Sequence, residues 1–140
     1  MKRIRTFIDA SLLIAAARGT DDISETALAI LDDPRRSFVT SDFVRLEVLP
    51  KAVHHRRNPE VRFYLAFFAG ATRTVRSSAS LVAAAETEGE LAGLSAIDAL
   101  HVAAAKRAKC HELVTAESPG KPLFRVLRRP TGGNRPGGPG

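Results

Sequence analysis

Residues 5–19 read RTFIDASLLIAAARG, an apolar stretch with a single carboxylate, Asp9, at its middle. Arg5 to Ile8 has the character of a short buried strand, and Leu12 to Ala17 that of a helix packed on its apolar side. A strand that turns at once into a helix is the opening unit of a parallel α/β sheet. Asp9 then stands at the carboxyl end of the first strand, where such sheets bind their ligands. A charge buried there without a partner costs several kcal/mol, so the position asks for a reason.

The rest of the chain repeats the alternation. Ser24 to Asp32 is expected as a helix, with Asp22 and Glu25 forming a capping-box start. Ser37 to Thr40 reads as a strand. Ser41 then caps a helix running to about Leu49, where Pro50 ends or kinks it. Pro59 opens a helix through Ala69, and Arg73 to Arg76 is strand-like. Ala79 to Glu88 and Ser95 to Lys109 follow as helices, with Glu112 to Thr115 and Leu123 to Leu127 as closing strands. The expectation is an α/β domain with a parallel sheet covered on both faces. The last stretch, RRPTGGNRPGGPG from Arg128, holds five glycines and three prolines and cannot form a packed element. The organisation expected is one domain over 1–127 and a flexible Gly/Pro/Arg-rich tail over 128–140.

Composition narrows the classes. At 140 residues the chain can bury a core of its own. Lys2, Arg3 and Arg5 before an apolar run mimic a secretory signal, but Asp9 interrupts the run. Nothing approaches the roughly 18 apolar residues of a membrane span. The single cysteine, Cys110, excludes an internal disulfide and fits a reducing compartment, so a cytoplasmic location is expected. The formal charge of +6 favours a polyanionic partner. Lys51, His54, His55, Arg56, Arg57 and Arg62 cluster in sequence and read either as a solvated helix face or as a phosphate-contacting rim.

Three further acids occupy unusual places. On a helical wheel Glu47 lies roughly 40° from Phe43 and 60° from Val44, so it shares the apolar side. It is either a rim residue paired with Arg45 or Lys51, or part of a site. Asp98 in LSAIDALHVAAAKRAKC sits among small residues, and with Ser95 it also fits a capping box. His101, one turn on, reads as a core histidine or as a group that orients Asp98 or touches substrate. Glu117 in ELVTAESPG is a turn residue or a fourth acid, with Thr115 beside it as a hydroxyl donor. Two acids after strands and two on inward helix faces would repel one another in one cleft. A hard divalent cation, Mg²⁺ or Mn²⁺, reverses that cost.

FIDASLLIAA around Asp9, SDFVRLEVLP around Glu47, LSAIDALHVAAA around Asp98 and LVTAE around Glu117 resemble, in order, the blocks of the PIN domain family. Within that family they look most like VapC-type toxin ribonucleases. The resemblance implies a three-layer α/β/α PIN-like domain with a central, mainly parallel sheet. It implies Asp9, Glu47 and Asp98 as core acids, with Ser11 supporting the first. Glu117 is a departure, since the family's last acid is usually Asp, and the loop SPGKPLF also differs from the usual version. The implied activity is hydrolysis of RNA phosphodiester bonds with Mg²⁺ or Mn²⁺. A cognate antitoxin and homodimerisation follow by the same resemblance, and Lys51, Arg56 and Arg57 are candidates for RNA contact.

Two other readings compete. A phosphatase of the haloacid-dehalogenase type also places Asp after its first strand but needs D-x-D, and Ser11 stands at the third position. A PIN-like module that binds nucleic acid or a partner without catalysis, or a housekeeping RNA-processing nuclease, would carry the same blocks.

Overall fold

The computed structural model describes residues 3–19, 21–116 and 123–126, the last segment for its backbone. Glu117, Leu127 and the tail at 128–140 lie outside the described residues. The order is β1 (Ile4–Ile8), α1 (Ala10–Arg18), α2 (Asp22–Leu31), β2 (Arg36–Ser41), α3 (Asp42–His54) and α4 (Asn58–Gly70). It continues with β3 (Arg73–Val75), α5 (Ala79–Ala92), α6 (Ala96–Arg107), β4 (Glu112–Thr115) and β5 (Leu123–Val126).

The sheet runs β3-β2-β1-β4-β5. The pairs β1–β2, β2–β3 and β1–β4 are parallel, and β5 lies antiparallel on β4. The segment between β4 and β5 is too short for a crossover helix, so the last strand can only return alongside. From β1 the chain steps outward through β2 to β3, then crosses back to β4 on the other side of β1. Right-handed crossovers put α1 to α4 on one face and α5 with α6 on the other. Phe38 of β2 meets Phe67 of α4, while Phe7 of β1 meets His101 of α6. The result is the three-layer α/β/α arrangement, with the direction of winding reversing between β1 and β4.

The core follows from the pattern of the strands. Phe7, Ile8, Val39 and Val114 are fully enclosed, with Leu12, Leu13, Val44 and Leu81 from the helices. On α6, Ala99, Ala103, Ala104 and Ala105 are buried, which lets that helix approach the sheet closely. Cys110 is buried, and burial pushes its thiol up to about 12.

Local signals set most helix starts. The Ser41 hydroxyl accepts from Val44 N at 3.2 Å, and Ser95 accepts from Asp98 N at 3.3 Å. Two expectations need correction. The cap of α2 is Asp21, which accepts from Ser24 N at 3.1 Å, and Asp22 is already in the first turn. Pro50 neither ends nor stops α3, which continues to His54. The carbonyl that proline leaves unpaired belongs to Leu46, which is exposed, so water can satisfy it. α5 also runs beyond Glu88 to Ala92 and closes at Gly93, whose φ of 66° is the left-handed cap that glycine adopts without strain.

Among the described residues no helix is long and apolar enough to cross a membrane.

Candidate active site

The winding reverses between β1 and β4, and at the carboxyl ends of those two strands lie Asp9 and Thr115. Asp9 is extended, with φ −87° and ψ 175°, and caps α1. Its Oδ1 accepts from Leu12 N at 3.1 Å and from Ser11 Oγ at 2.8 Å. Ser11 Oγ in turn accepts from Ala116 N at 2.9 Å and lies 3.0 Å from Thr115 Oγ1. Thr115 also hydrogen-bonds the Asp9 carboxylate. The hydroxyls named from the sequence as supports thus tie the ends of β1 and β4 together around one acid.

Asp9 is only 5% exposed. Burial raises its pKa above the usual carboxylate value, against the lowering effect of Thr115, Ser11, the Leu12 N–H and the nearby His101. Hydrogen bonds orient this carboxylate, but no cation of the chain forms a salt bridge with it among the described residues.

Glu47 lies exposed on α3 next to the buried Val48, in place of the inward position expected from the helical wheel. Its Oε1 lies 2.8 Å from Nε2 of His101. Neither Arg45 nor Lys51 takes it; Arg45 stacks over the Phe68 ring instead. His101 is 3% exposed, and its Nδ1 has no hydrogen-bond partner among the described residues. The sequence suggested that His101 might serve Asp98; the fold gives it to Glu47, 54 residues away in the chain.

Asp98 stands half-buried in the first turn of α6, three residues before His101 and so on a neighbouring part of the helix surface. Its N–H is capped by Ser95, and its carboxylate makes no hydrogen bond or ion pair among the described residues. Glu47 thus bonds His101 and Asp9 lies within its electrostatic reach, with Asp98 three residues before it on α6. Among the described residues no three His, Cys, Asp or Glu side chains meet at one metal-sized point. Lys51 is exposed one turn beyond Glu47 on α3; Arg56, with φ 56°, and Arg57 are exposed in the turn into α4.

The donor chemistry nonetheless suits a hard cation. Asp9 is a buried carboxylate with no salt bridge among the described residues, and Mg²⁺ is commonly held by one or two carboxylates with waters completing its shell. Asp9 could hold such an ion, and Asp98 and Glu47 are the carboxylates that could add oxygens.

A family model described as the PIN domain matches residues 6–118. The chain belongs to the PIN domain family. Among solved structures this PIN domain is similar to VapC20 from Mycobacterium tuberculosis, described as a sarcin–ricin loop cleaving toxin. The TM-score is 0.62 at 20% identity, covering 89% of this chain and 99% of that one. It is also similar to VapBC2 from Rickettsia felis, described as bound to a DNA fragment from the promoter. There the TM-score is 0.60 at 18% identity, covering 81% of this chain and 89% of that one. At these identities the likeness is one of fold. The curated proteins contain no significant match.

Proposed function

We propose that this PIN domain is a metal-dependent ribonuclease that hydrolyses RNA phosphodiester bonds as the toxin of a toxin–antitoxin pair. The observation that carries the reading is Asp9: a buried carboxylate at the switch point of the sheet, fixed by Ser11, Thr115 and the Leu12 N–H, with no salt bridge to it among the described residues. Family membership and the fold shared with a protein described as a sarcin–ricin loop cleaving toxin support it.

Mg²⁺ or Mn²⁺, when bound, would lower the pKa of water and offset the charge of the attacked phosphate. The chain's own contribution is placement. Asp9 is held in a single orientation before any ligand arrives, and the His101 contact fixes one oxygen of Glu47 while leaving the other uncommitted. Such preorganisation spares the reorganisation that water would require. In the reaction, the water oxygen bonds to phosphorus in line as the P–O3′ bond breaks. Lys51, Arg56 and Arg57 would contact flanking phosphates, with Lys51 the nearest to Glu47 along the helix. Glu117 is retained as a candidate fourth acid. The nuclease domain would span 1–127 with a tail at 128–140, and a cytoplasmic location, a cognate antitoxin and a homodimer belong to the same reading.

The test is cleavage of a mixed RNA substrate with and without Mg²⁺ or Mn²⁺. Cleavage is expected only with the metal, and Asp9→Asn and Asp98→Asn should each abolish it. Full activity in EDTA, or in both variants, would falsify the assignment. A non-catalytic binding module is the second reading, favoured by the lack of a three-acid metal cluster among the described residues; RNA binding without cleavage under every metal would establish it. Induced expression that leaves growth unchanged would point to a housekeeping nuclease in place of a toxin.

A further inference from the structure

A second cavity, of about 440 Å³, opens against β2 and β3 on the face covered by α3 and α4. Thr40 and Thr74, partners in the β2–β3 register, line it from the sheet. Arg45 and Arg76 line it with charge, and Leu65 and Phe68 form an apolar wall. Three features of this cavity have no role in the acidic site. Thr40 is 1% exposed, yet its hydroxyl has no hydrogen-bond partner among the described residues. A buried hydroxyl without a partner is a cost that folding normally avoids. The Arg45 guanidinium lies 5.3 Å over the Phe68 ring and makes no hydrogen bond or salt bridge among the described residues. Arg76, at the rim, donates to Asp42 at 2.9 Å, and the other Asp42 oxygen is taken by Ser77 N at 2.9 Å. Asp42 thus bonds Arg76 and feels the charge of Arg45 from further off, so two arginines share one carboxylate there.

The cavity also has a defined relation to Asp9. Phe7 pairs with Val39, so two residues further along Asp9 comes level with Ser41, one strand spacing or about 5 Å away in the sheet. Arg45 and Glu47 are two residues apart on α3 and therefore point to nearly opposite sides of it. Ser41 also lines the cavity, so its edge lies about one strand spacing from Asp9.

We propose that this cavity is a nucleotide subsite for the RNA strand, next to the site at which the bond is cut. Arg45 takes a phosphate with its planar donor fork, the Leu65–Phe68 wall packs the base or sugar, and Thr40 pairs with a ribose hydroxyl. A guanidinium, a hydroxyl and an apolar wall together match a nucleotide better than an inorganic anion, which has no use for the wall. The 2′-hydroxyl is the group by which a site tells RNA from DNA, and Thr40 is the side chain placed to read it. The proposal rests on the ribonuclease reading, and the experiment separates the two.

The experiment is fluorescence anisotropy of the full chain in EDTA with a labelled single-stranded RNA of about ten nucleotides and with DNA of the same sequence. Arg45→Gln is expected to weaken RNA binding about tenfold, and Arg45→Lys to recover part of it, since lysine keeps the charge but loses the fork. Thr40→Val should weaken RNA binding several-fold while leaving DNA binding as it was. Its melting temperature should not fall, because the hydroxyl it removes is unpaired. Unchanged RNA affinity in both Arg45→Gln and Thr40→Val, with the native protein still cutting RNA, overturns the subsite and leaves the ribonuclease reading in place. A native protein that neither binds nor cuts RNA removes both. A change of oligomeric state in Arg45→Gln with RNA affinity intact assigns the cavity to a protein contact and overturns the subsite.

Discussion

The two ends of the sheet treat carboxylates in opposite ways. At the amino end Glu112 of β4 accepts from Arg36 at 2.7 Å and from the Thr6 hydroxyl at 2.7 Å. Arg36 also reaches Asp33 at 2.9 Å, where Arg35 makes a further pair. Arg36, Asp33 and Glu112 side chains are 12%, 9% and 13% exposed, so the cluster is well shielded yet neutralised within the chain. At the carboxyl end Asp9 has hydroxyls and an N–H, and among the described residues no such cation. The Arg35 contacts hold the Asp33 carboxyl down to about 2, whereas burial drives Asp9 upward. Among the described residues the acids at the amino end are neutralised, while Asp9 at the other is oriented without a salt bridge, which under the proposed function leaves it to a charge from outside.

The sharpest way to break that contrast is Asp9→Asn. RNA cleavage should fall by at least about a hundredfold, a loss near 3 kcal/mol of transition-state stabilisation. Stability without metal should instead hold or rise. The native pKa of Asp9 lies above its unfolded value of 3.8, so ionisation penalises the folded state. That penalty is absent below 3.8, grows as pH rises through the native pKa and is complete above it. Melting in EDTA across this range checks the sign, and a large loss of stability at neutral pH would mean that Asp9 is a structural acid after all.

The amino end should respond in the reverse order. Arg36→Met removes the cation between β2 and β4 and leaves Glu112 with little besides the Thr6 hydroxyl. Stranding a shielded charge costs about 3 kcal/mol, read as a lower urea midpoint at unchanged slope. An effect within a few tenths of a kcal/mol would show that solvent already screens the pair. Next in size is the cation itself. Mg²⁺ or Mn²⁺ at about a hundred times its dissociation constant should stabilise the native protein by about 2.7 kcal/mol. The gain should vanish in Asp9→Asn and persist in Arg36→Met, and an equal gain in Asp9→Asn would move the metal elsewhere. Ser11→Ala ranks below these: it removes one charge-assisted hydrogen bond to Asp9 and should slow cleavage about tenfold with little change in melting.

What the chain revealed in advance follows the same division between local and distant. The strand–Asp–helix turn, the Ser41 and Ser95 caps and the Ser11 support were readable because each is decided within three residues. The alternation of strands and helices fixed the layers, whereas the antiparallel course of β5 was not expected from the sequence. The extent of α3 was not readable, because Pro50 breaks a helix only where its lost bond cannot be made good by water. Nor was the Glu47–His101 contact, which joins α3 to α6 across 54 residues and displaced the expected local partners Arg45 and Lys51. The Arg36–Glu112 pair spans 76 residues and has no sequence signature at all. A charge's partner depends on which strands become neighbours, and the reversal at β1 makes β2 and β4 both neighbours of one strand.

The smallest expected effect concerns Asp33 and tests the amino end by acid. Its folded pKa of about 2 lies below the unfolded 3.8, the reverse of Asp9. The Arg35 hydrogen bonds come first among the causes, with the Arg35 backbone N–H next and the Arg36 charge a lesser one. A depressed carboxylate contributes stability above its unfolded pKa and loses it as pH falls through the folded one. Between 3.8 and about 2, therefore, the native protein should lose melting temperature along a slope that Asp33→Asn flattens. The variant should also show no shift in its metal response, since Asp33 lies at the other end of the sheet. Much of the pairing with Arg35 is exposed to solvent, so added salt should shrink the difference between the two acid slopes. A slope that salt leaves untouched would place the effect on the shielded Arg36 contact in place of Arg35, and would extend the neutralised interior of the sheet one residue further out.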